Sequence, residues 1–316
     1  MTQRRRLVFL GTPEAAVPPL RALHHAGHEF RLVVTRPDKR RGRGSTLTPS
    51  PVKAAATELG LPVSHRVDDV IDVGADLGVV VAFGKLIKPP VLAAVPMVNL
   101  HFSLLPRWRG AAPVERAILA GDPETGVCLM TLEAGLDTGP VHACRVVPID
   151  EGATADELRA ALVAVGTDLL LQQLADGLDP PVPQLGEATY AAKVDPSELH
   201  IDWEDPAVQI GRAVRLGRAW TTFRGKRLGI VRAREPGLAR EPGLAGEAGL
   251  AGEAGLAGDA GLAEPELAAG ELHELVVGTG DGALELVEVQ PEGRAAMTAV
   301  AWRNGARPVP GERFGP

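Results

Sequence analysis

The 316-residue sequence contains only two cysteines, Cys128 and Cys144. Neither takes part in a Cys and His spacing that would hold zinc, and no bound metal is expected. Both lie in apolar, strand-like surroundings (GVCLMTL and PVHACRVV). With no secretion signal, a disulfide between them is not expected, and they read as small core residues. Long apolar runs are also missing. The run Leu7 to Leu10 after three arginines breaks at Gly11 and Pro13, too soon for a signal core. The stretch Val79 to Val98 is interrupted by Lys85, Lys88 and three prolines, which argues against a membrane span and for a cytoplasmic protein. The glycine pattern G-x-G-x-x-G is absent as well. The turn Gly11, Thr12, Pro13 has proline where a backbone would have to approach a pyrophosphate, which argues against a nicotinamide-binding reading.

A surplus of positive charge is the last absence, since the net charge is −7. Its location changes its meaning. From Glu235 to Glu264 runs a hexad repeat, EPGLAR, EPGLAG, EAGLAG, EAGLAG, DAGLAE, and the segment 235–271 holds eight acidic residues and one basic one. The remainder of the chain is therefore neutral. Glycine at this density disfavours a helix by roughly 1 kcal/mol per residue relative to alanine. The segment reads as a flexible, low-complexity insertion without a catalytic role.

Strand and helix signals alternate through the first part of the chain. Arg6 to Leu10 reads as a strand, Thr12 and Pro13 as a helix start, and Glu14 to Ala26 as a helix closed at Gly27. Strands follow at Glu29–Thr35, 62–64, 79–83 and Met97–His101, with a helix near Val52–Leu59. Thr154 to Ala175 has Leu158, Leu162, Val165, Leu169 and Leu170 at helical spacing. This alternation predicts an α/β fold with a doubly wound, mostly parallel sheet, in which ligands bind beyond the carboxyl ends of the strands. Past Pro206, a helix and strand-like stretches at Arg227–Arg232, Glu274–Thr279 and Ala283–Gln290 predict an OB-like β-barrel. The expected division is a catalytic domain at 1–183, a linker at 184–205 and the barrel domain at 206–316, the last interrupted by the insertion.

One constellation carries chemistry. Asn99-x-His101-x-Ser103-Leu104-Leu105-Pro106 ends a predicted strand, and Asp137 follows in the loop Gly135 to Gly139. An amide can donate to a developing oxyanion, an imidazole can move a proton near neutral pH, and a carboxylate can orient that imidazole and stabilise its cation. Together they suit acyl transfer to an amine without a covalent intermediate. Two basic stretches accompany them. One holds Arg36, Lys39, Arg40, Arg41 and Arg43; the other, Arg212 to Arg234, contains eight Lys or Arg and no acid. Two such stretches in one chain point to nucleic acid and to salt-dependent binding.

The run SLLPRWRGAAP, with VFLGTPEAA, RPDKRRGRG, VVVAFGKLI, GLDTGPV and TYAAKVDPSELHIDW, resembles the formyltransferases that use 10-formyltetrahydrofolate. Within that family it resembles the branch whose acceptor is initiator methionyl-tRNA. The likeness spans nearly the whole chain apart from the insertion. It implies a Rossmann-like catalytic domain and assigns Asn99, His101 and Asp137 to catalysis, with Ser103, Leu104, Leu105 and Pro106 against the folate. It also implies a monomer in which the loop around Arg43 and the second domain, through Arg215, Arg224 and Lys226, meet the tRNA. Gly217 to Thr221 departs from the family pattern by lacking a proline-rich turn. Two other readings remain open on the residues alone: a formyltransferase acting on an amino sugar, and an inactive RNA-binding relative.

Overall fold

The computed structural model describes residues 4–40, 47–236 and 267–315. Arg41, Arg43 and nearly all of the hexad repeat lie outside the described residues. The chain forms two compact units, 1–195 and 196–316. The segment 184–205, expected as a linker, divides between them.

The first unit is built on seven strands: β1 (Arg6–Gly11), β2 (Glu29–Val34), β3 (Val63–Ser64), β4 (Leu77–Val81), β5 (Met97–His101), β6 (Glu124–Thr131) and β7 (Val141–Pro148). Their order across the sheet is β7-β6-β5-β4-β1-β2-β3. The ladders from β3 to β5 are parallel, and β6 and β7 run antiparallel at the other edge. β1, β4 and β5 are buried almost throughout because helices cover both faces of such a sheet, which is why they read as unbroken apolar runs.

Helix α1 (Val17–His25) begins later than its expected start. Pro13 leads into one turn of 3₁₀ helix at Glu14–Ala16, and Thr12 does not cap it. The Thr12 hydroxyl instead donates to the Phe83 carbonyl at 3.4 Å, tying the ends of β1 and β4 together. The helix Ala155–Asp176, α2 here, opens with a capping box in which Thr154 and Glu157 exchange hydrogen bonds. It is the one described helix long and apolar enough to cross a membrane, and half of its apolar window is buried inside the protein. Leu158, Leu162, Leu169, Leu170 and Leu174 are buried. A Cβ on Gly166 would come within 3.0 Å of both Leu100 and Val127, so glycine lets this helix lie directly on β5 and β6.

The cysteine expectation is corrected here. Cys128 on β6 and Cys144 on β7 are joined by a disulfide, with Cα atoms 4.2 Å apart. A bulge between Val141 and Ala143 shifts the β6–β7 register by one residue, which sets Cys144 directly opposite Cys128. Sequence spacing alone does not reveal that shift.

In the second unit, α3 (Ala207–Val214) precedes an antiparallel sheet of β8 (Trp220–Phe223), β9 (Lys226–Arg234), β10 (Leu272–His273), β11 (Val276–Gly278), β12 (Ala283–Pro291) and β13 (Met297–Thr298). Its path is β8-β9-β12-β11-β10, with β13 added to β12. Trp203, Phe223, Trp302 and Phe314 pack as a ring cluster in its core. Residues 267–271, expected within the insertion, are integrated into this unit: the amide of Gly270 donates to Gly278 and its carbonyl accepts from Phe314.

Candidate active site

Asn99 and His101 are two residues apart on β5 and therefore project from the same face at its carboxyl end. Parallel β4 and antiparallel β6 flank them, and both side chains are buried. The imidazole of His101 is held by its surroundings. Nε2 lies 2.9 Å from the Trp108 carbonyl oxygen. A carbonyl can only accept, so Nε2 carries the hydrogen and the neutral ring presents the lone pair of Nδ1. That nitrogen stands 3.8 Å from Oδ2 of Asp137. The Trp108 carbonyl thus fixes the tautomer, and Asp137 faces the nitrogen that would receive a proton.

Trp108 is itself fixed. Its backbone is left-handed (φ 62°), its amide donates to the Thr189 hydroxyl at 2.9 Å, and its indole N–H donates to Asp122 at 2.7 Å. Arg107 grips the same carboxylate through two nitrogens and lies over the indole ring, 4.5 Å from its centre.

Asp137 also has left-handed backbone (φ 51°), a conformation that aspartate tolerates better than most residues. Its Oδ2 accepts from the Gly110 amide at 2.8 Å. Gly110 leads a short parallel ladder in which Arg109–Gly110 pairs with Tyr190–Ala191. A Cβ at Gly110 would sit 2.9 Å from the Ala191 carbonyl, and φ there is 121°, so only glycine brings this amide to the carboxylate without strain. The carboxamide of Gln184 donates to the carbonyls of Asp137 and Gly139, both at 2.8 Å, and accepts from Arg109 at 2.7 and 3.1 Å.

Ser103 is fully buried, and its hydroxyl donates to the Arg107 carbonyl at 2.6 Å. Leu104, Leu105 and Pro106 are half-buried. Leu104 leans on Gly126, where a Cβ would fall 2.4 Å from its Cδ2. Leu86 and Leu136 are exposed apolar side chains in the loops that follow β4 and β6. Among the described residues, no three His, Cys, Asp or Glu side chains stand close enough together to hold a metal ion.

The basic residues fall into two groups. Arg36 donates to the Gly84 carbonyl at 2.5 Å, while Lys39 and Arg40 are exposed on a two-strand ladder with Leu47 and Thr48. In the second unit, Arg224 is committed to structure: it pairs with Glu312 at 2.5 and 2.8 Å and donates to the carbonyls of Ala306 and Arg307. Arg234 pairs with Glu285 in the same manner, and Arg215 also has a bonded partner. Arg218, Lys226 and Arg227 are exposed. Arg227 lies over the ring of Trp220 at 4.4 Å, and both line a cleft of about 410 Å³ with Arg218, Gly229 and Gln290.

Residues 5–174 match the family described as formyl transferase, and residues 193–307 match its C-terminal domain. Both halves of the chain therefore fall in one class of enzyme. The chain is 43% identical over 330 residues to methionyl-tRNA formyltransferase of Acidothermus cellulolyticus, a match covering 98% of this chain and 99% of that one. It is 42% identical over 325 residues to the protein of the same name from Jannaschia, covering 97% and 98%. In fold it is similar to HypX from Aquifex aeolicus, solved in complex with tetrahydrofolic acid, with a TM-score of 0.62 at 17% identity, covering 95% of this chain and 47% of that one. The chain belongs to the methionyl-tRNA formyltransferase family.

Proposed function

We propose that this enzyme transfers the formyl group of 10-formyltetrahydrofolate to the free amino group of initiator methionyl-tRNA in the cytoplasm. The observation that carries the catalytic assignment is the placement of His101, whose two ring nitrogens face the Trp108 carbonyl and the Asp137 carboxylate. An imidazolium formed there would have an acceptor at each N–H.

The amine nitrogen attacks the formyl carbon, a C–N bond forms, and the carbonyl oxygen becomes an oxyanion. Asn99, beside His101 on the same strand face, donates to that oxyanion; a donor of this kind is worth about 3 kcal/mol of barrier. His101 takes the proton released by the attacking amine. The bond from the formyl carbon to N10 of the folate then breaks, and the proton passes to N10, giving formylmethionyl-tRNA and tetrahydrofolate. The half-buried Leu105 and Pro106, with exposed Leu86 and Leu136 in neighbouring loops, offer the apolar surface a folate ring system needs beside a polar reacting end. The tRNA side is carried by Lys39 and Arg40 with Arg36, Arg41 and Arg43 in the first unit, and by Lys226, Arg218 and Arg227 in the second.

The test is an acceptor panel: 10-formyltetrahydrofolate with charged initiator tRNA, charged elongator tRNA or free amino sugars, following release of tetrahydrofolate. Turnover is expected with initiator methionyl-tRNA alone. Asn99→Ala is expected to reduce kcat by about 10²- to 10³-fold in a folded protein. Turnover with an amino sugar, or near-normal kcat in that variant, overturns the corresponding part.

A further inference from the structure

Asp137 sits in a loop in which Glu133 to Leu136 and Thr138 are exposed. Such a loop does not hold a carboxylate in register with an imidazole unaided. The Gly110 amide holds the carboxylate itself, and Gln184 holds the loop backbone from 47 residues away. It is half-buried while residues 181–183 and 185–187 around it are exposed, so it is the one side chain of this stretch turned into the fold.

We propose that Gln184 is a positioning residue for the reaction, clamping the Asp137 loop against Arg109 and Gly110 so that the carboxylate faces His101. The inference rests on the assignment of formyl transfer to His101 and Asp137. The carboxamide has one possible orientation here. Arg109 can only donate, so the side-chain oxygen must face it; the carbonyls of Asp137 and Gly139 can only accept, so the NH₂ must face them. All of its capacity is used, with two donors on the loop and an oxygen shared by two guanidinium nitrogens. Gly139 admits no side chain, since a Cβ there would lie 1.9 Å from the Thr131 carbonyl, so the turn lies directly against the end of β6. The loop is thus fastened on both sides of its carbonyl-bearing turn, and the Gly110 amide completes the grip on Oδ2.

The isosteric change Gln184→Glu separates this role from mere packing. It preserves the shape and strengthens the pairing with Arg109, but turns two donors into acceptors aimed at two carbonyls. Gln184→Glu and Gln184→Leu are both expected to lower kcat for methionyl-tRNA by about 10- to 100-fold, with KM for tRNA and folate changed less than about threefold. Thermal melting reports whether each variant is folded. If Gln184→Glu behaves as the parent enzyme, or if kcat is kept and only KM rises, the proposal is overturned. Should both variants fail to fold, Arg109→Leu decides: it leaves the donors in place but frees the carboxamide to turn. A smaller fall in kcat at little-changed KM supports the clamp, and an unchanged kcat overturns it. Absence of formylation by the parent protein would overturn the functional reading itself, an outcome distinct from all of these.

Discussion

An imidazole's behaviour is set by what its two nitrogens meet, and two histidines of the first unit make the contrast. At His101 both nitrogens face acceptors, the arrangement a proton carrier needs. At His28 the opposite holds: Nδ1 accepts from the Arg5 amide at 3.3 Å, and Nε2 is buried without a partner. Burial first, and then the positive charge of Arg5, push the His28 pKa below its ordinary value. In the unfolded chain this ring takes up a proton near pH 6.5, whereas in the fold it does so only at lower pH. The folded state therefore binds fewer protons, and stability is greatest above about pH 6.5 and falls as the pH drops below it. Tm is expected to decline between pH 7.5 and 5.5, and the non-titrating His28→Phe is expected to show a shallower decline. Melts of both proteins across that range check it; parallel curves would assign the pH dependence to other groups.

Among the elements, what was legible followed from periodicity, and what was not depended on partners distant in sequence. The strand Met97–His101 falls where its pattern predicts, and its period of two explains why Asn99 and His101 share a face. The parallel order of β1, β2, β4 and β5 follows from strands alternating with helices. Gln184 and Thr189 were missed as parts of the site because a proline-rich stretch reads as a linker, and nothing local says that it returns to pair with Arg109–Gly110. The hydrogen bond that fixes the His101 tautomer comes from a backbone carbonyl, which no side-chain pattern encodes. The β6–β7 disulfide was hidden by a bulge, and it has a measurable consequence. It closes a loop of 16 residues, for which chain-entropy arithmetic gives about 3 kcal/mol. For a unit of this size, reduction or Cys144→Ser is expected to lower Tm by roughly 6 to 12 °C. Calorimetry with and without a dithiol reductant checks this: the parent should respond, and the variant should not.

At the scale of the whole molecule, charge counts mislead in two ways. The net charge of −7 reflects the segment 235–271, and the remainder is neutral. The cluster of eight cations between Arg212 and Arg234, in turn, is not all available to RNA. Arg224 and Arg234 are held by Glu312 and Glu285, partners 88 and 51 residues away. Releasing a guanidinium from such a pair to meet a phosphate exchanges one ion pair for another and gains little. Arg218 and Arg227 are exposed beside Trp220, where a cation and an aromatic ring together suit a nucleotide's phosphate and base. A phosphate contact of this kind releases counterions, so each is expected to contribute about one to the slope of log KM for tRNA against log salt. Arg218→Ala and Arg227→Ala should each flatten that slope by about one and raise KM at low salt, leaving kcat unchanged. Arg224→Ala should do the reverse, lowering Tm with little change of slope, since its loss leaves Glu312 without its guanidinium partner. Steady-state kinetics from 50 to 250 mM salt, run beside thermal melts of the three variants, separates the two classes. A flattened slope in Arg224→Ala alone would mean that the Glu312 pair opens when RNA binds, and that Arg224 rather than the Trp220 cleft carries the contact.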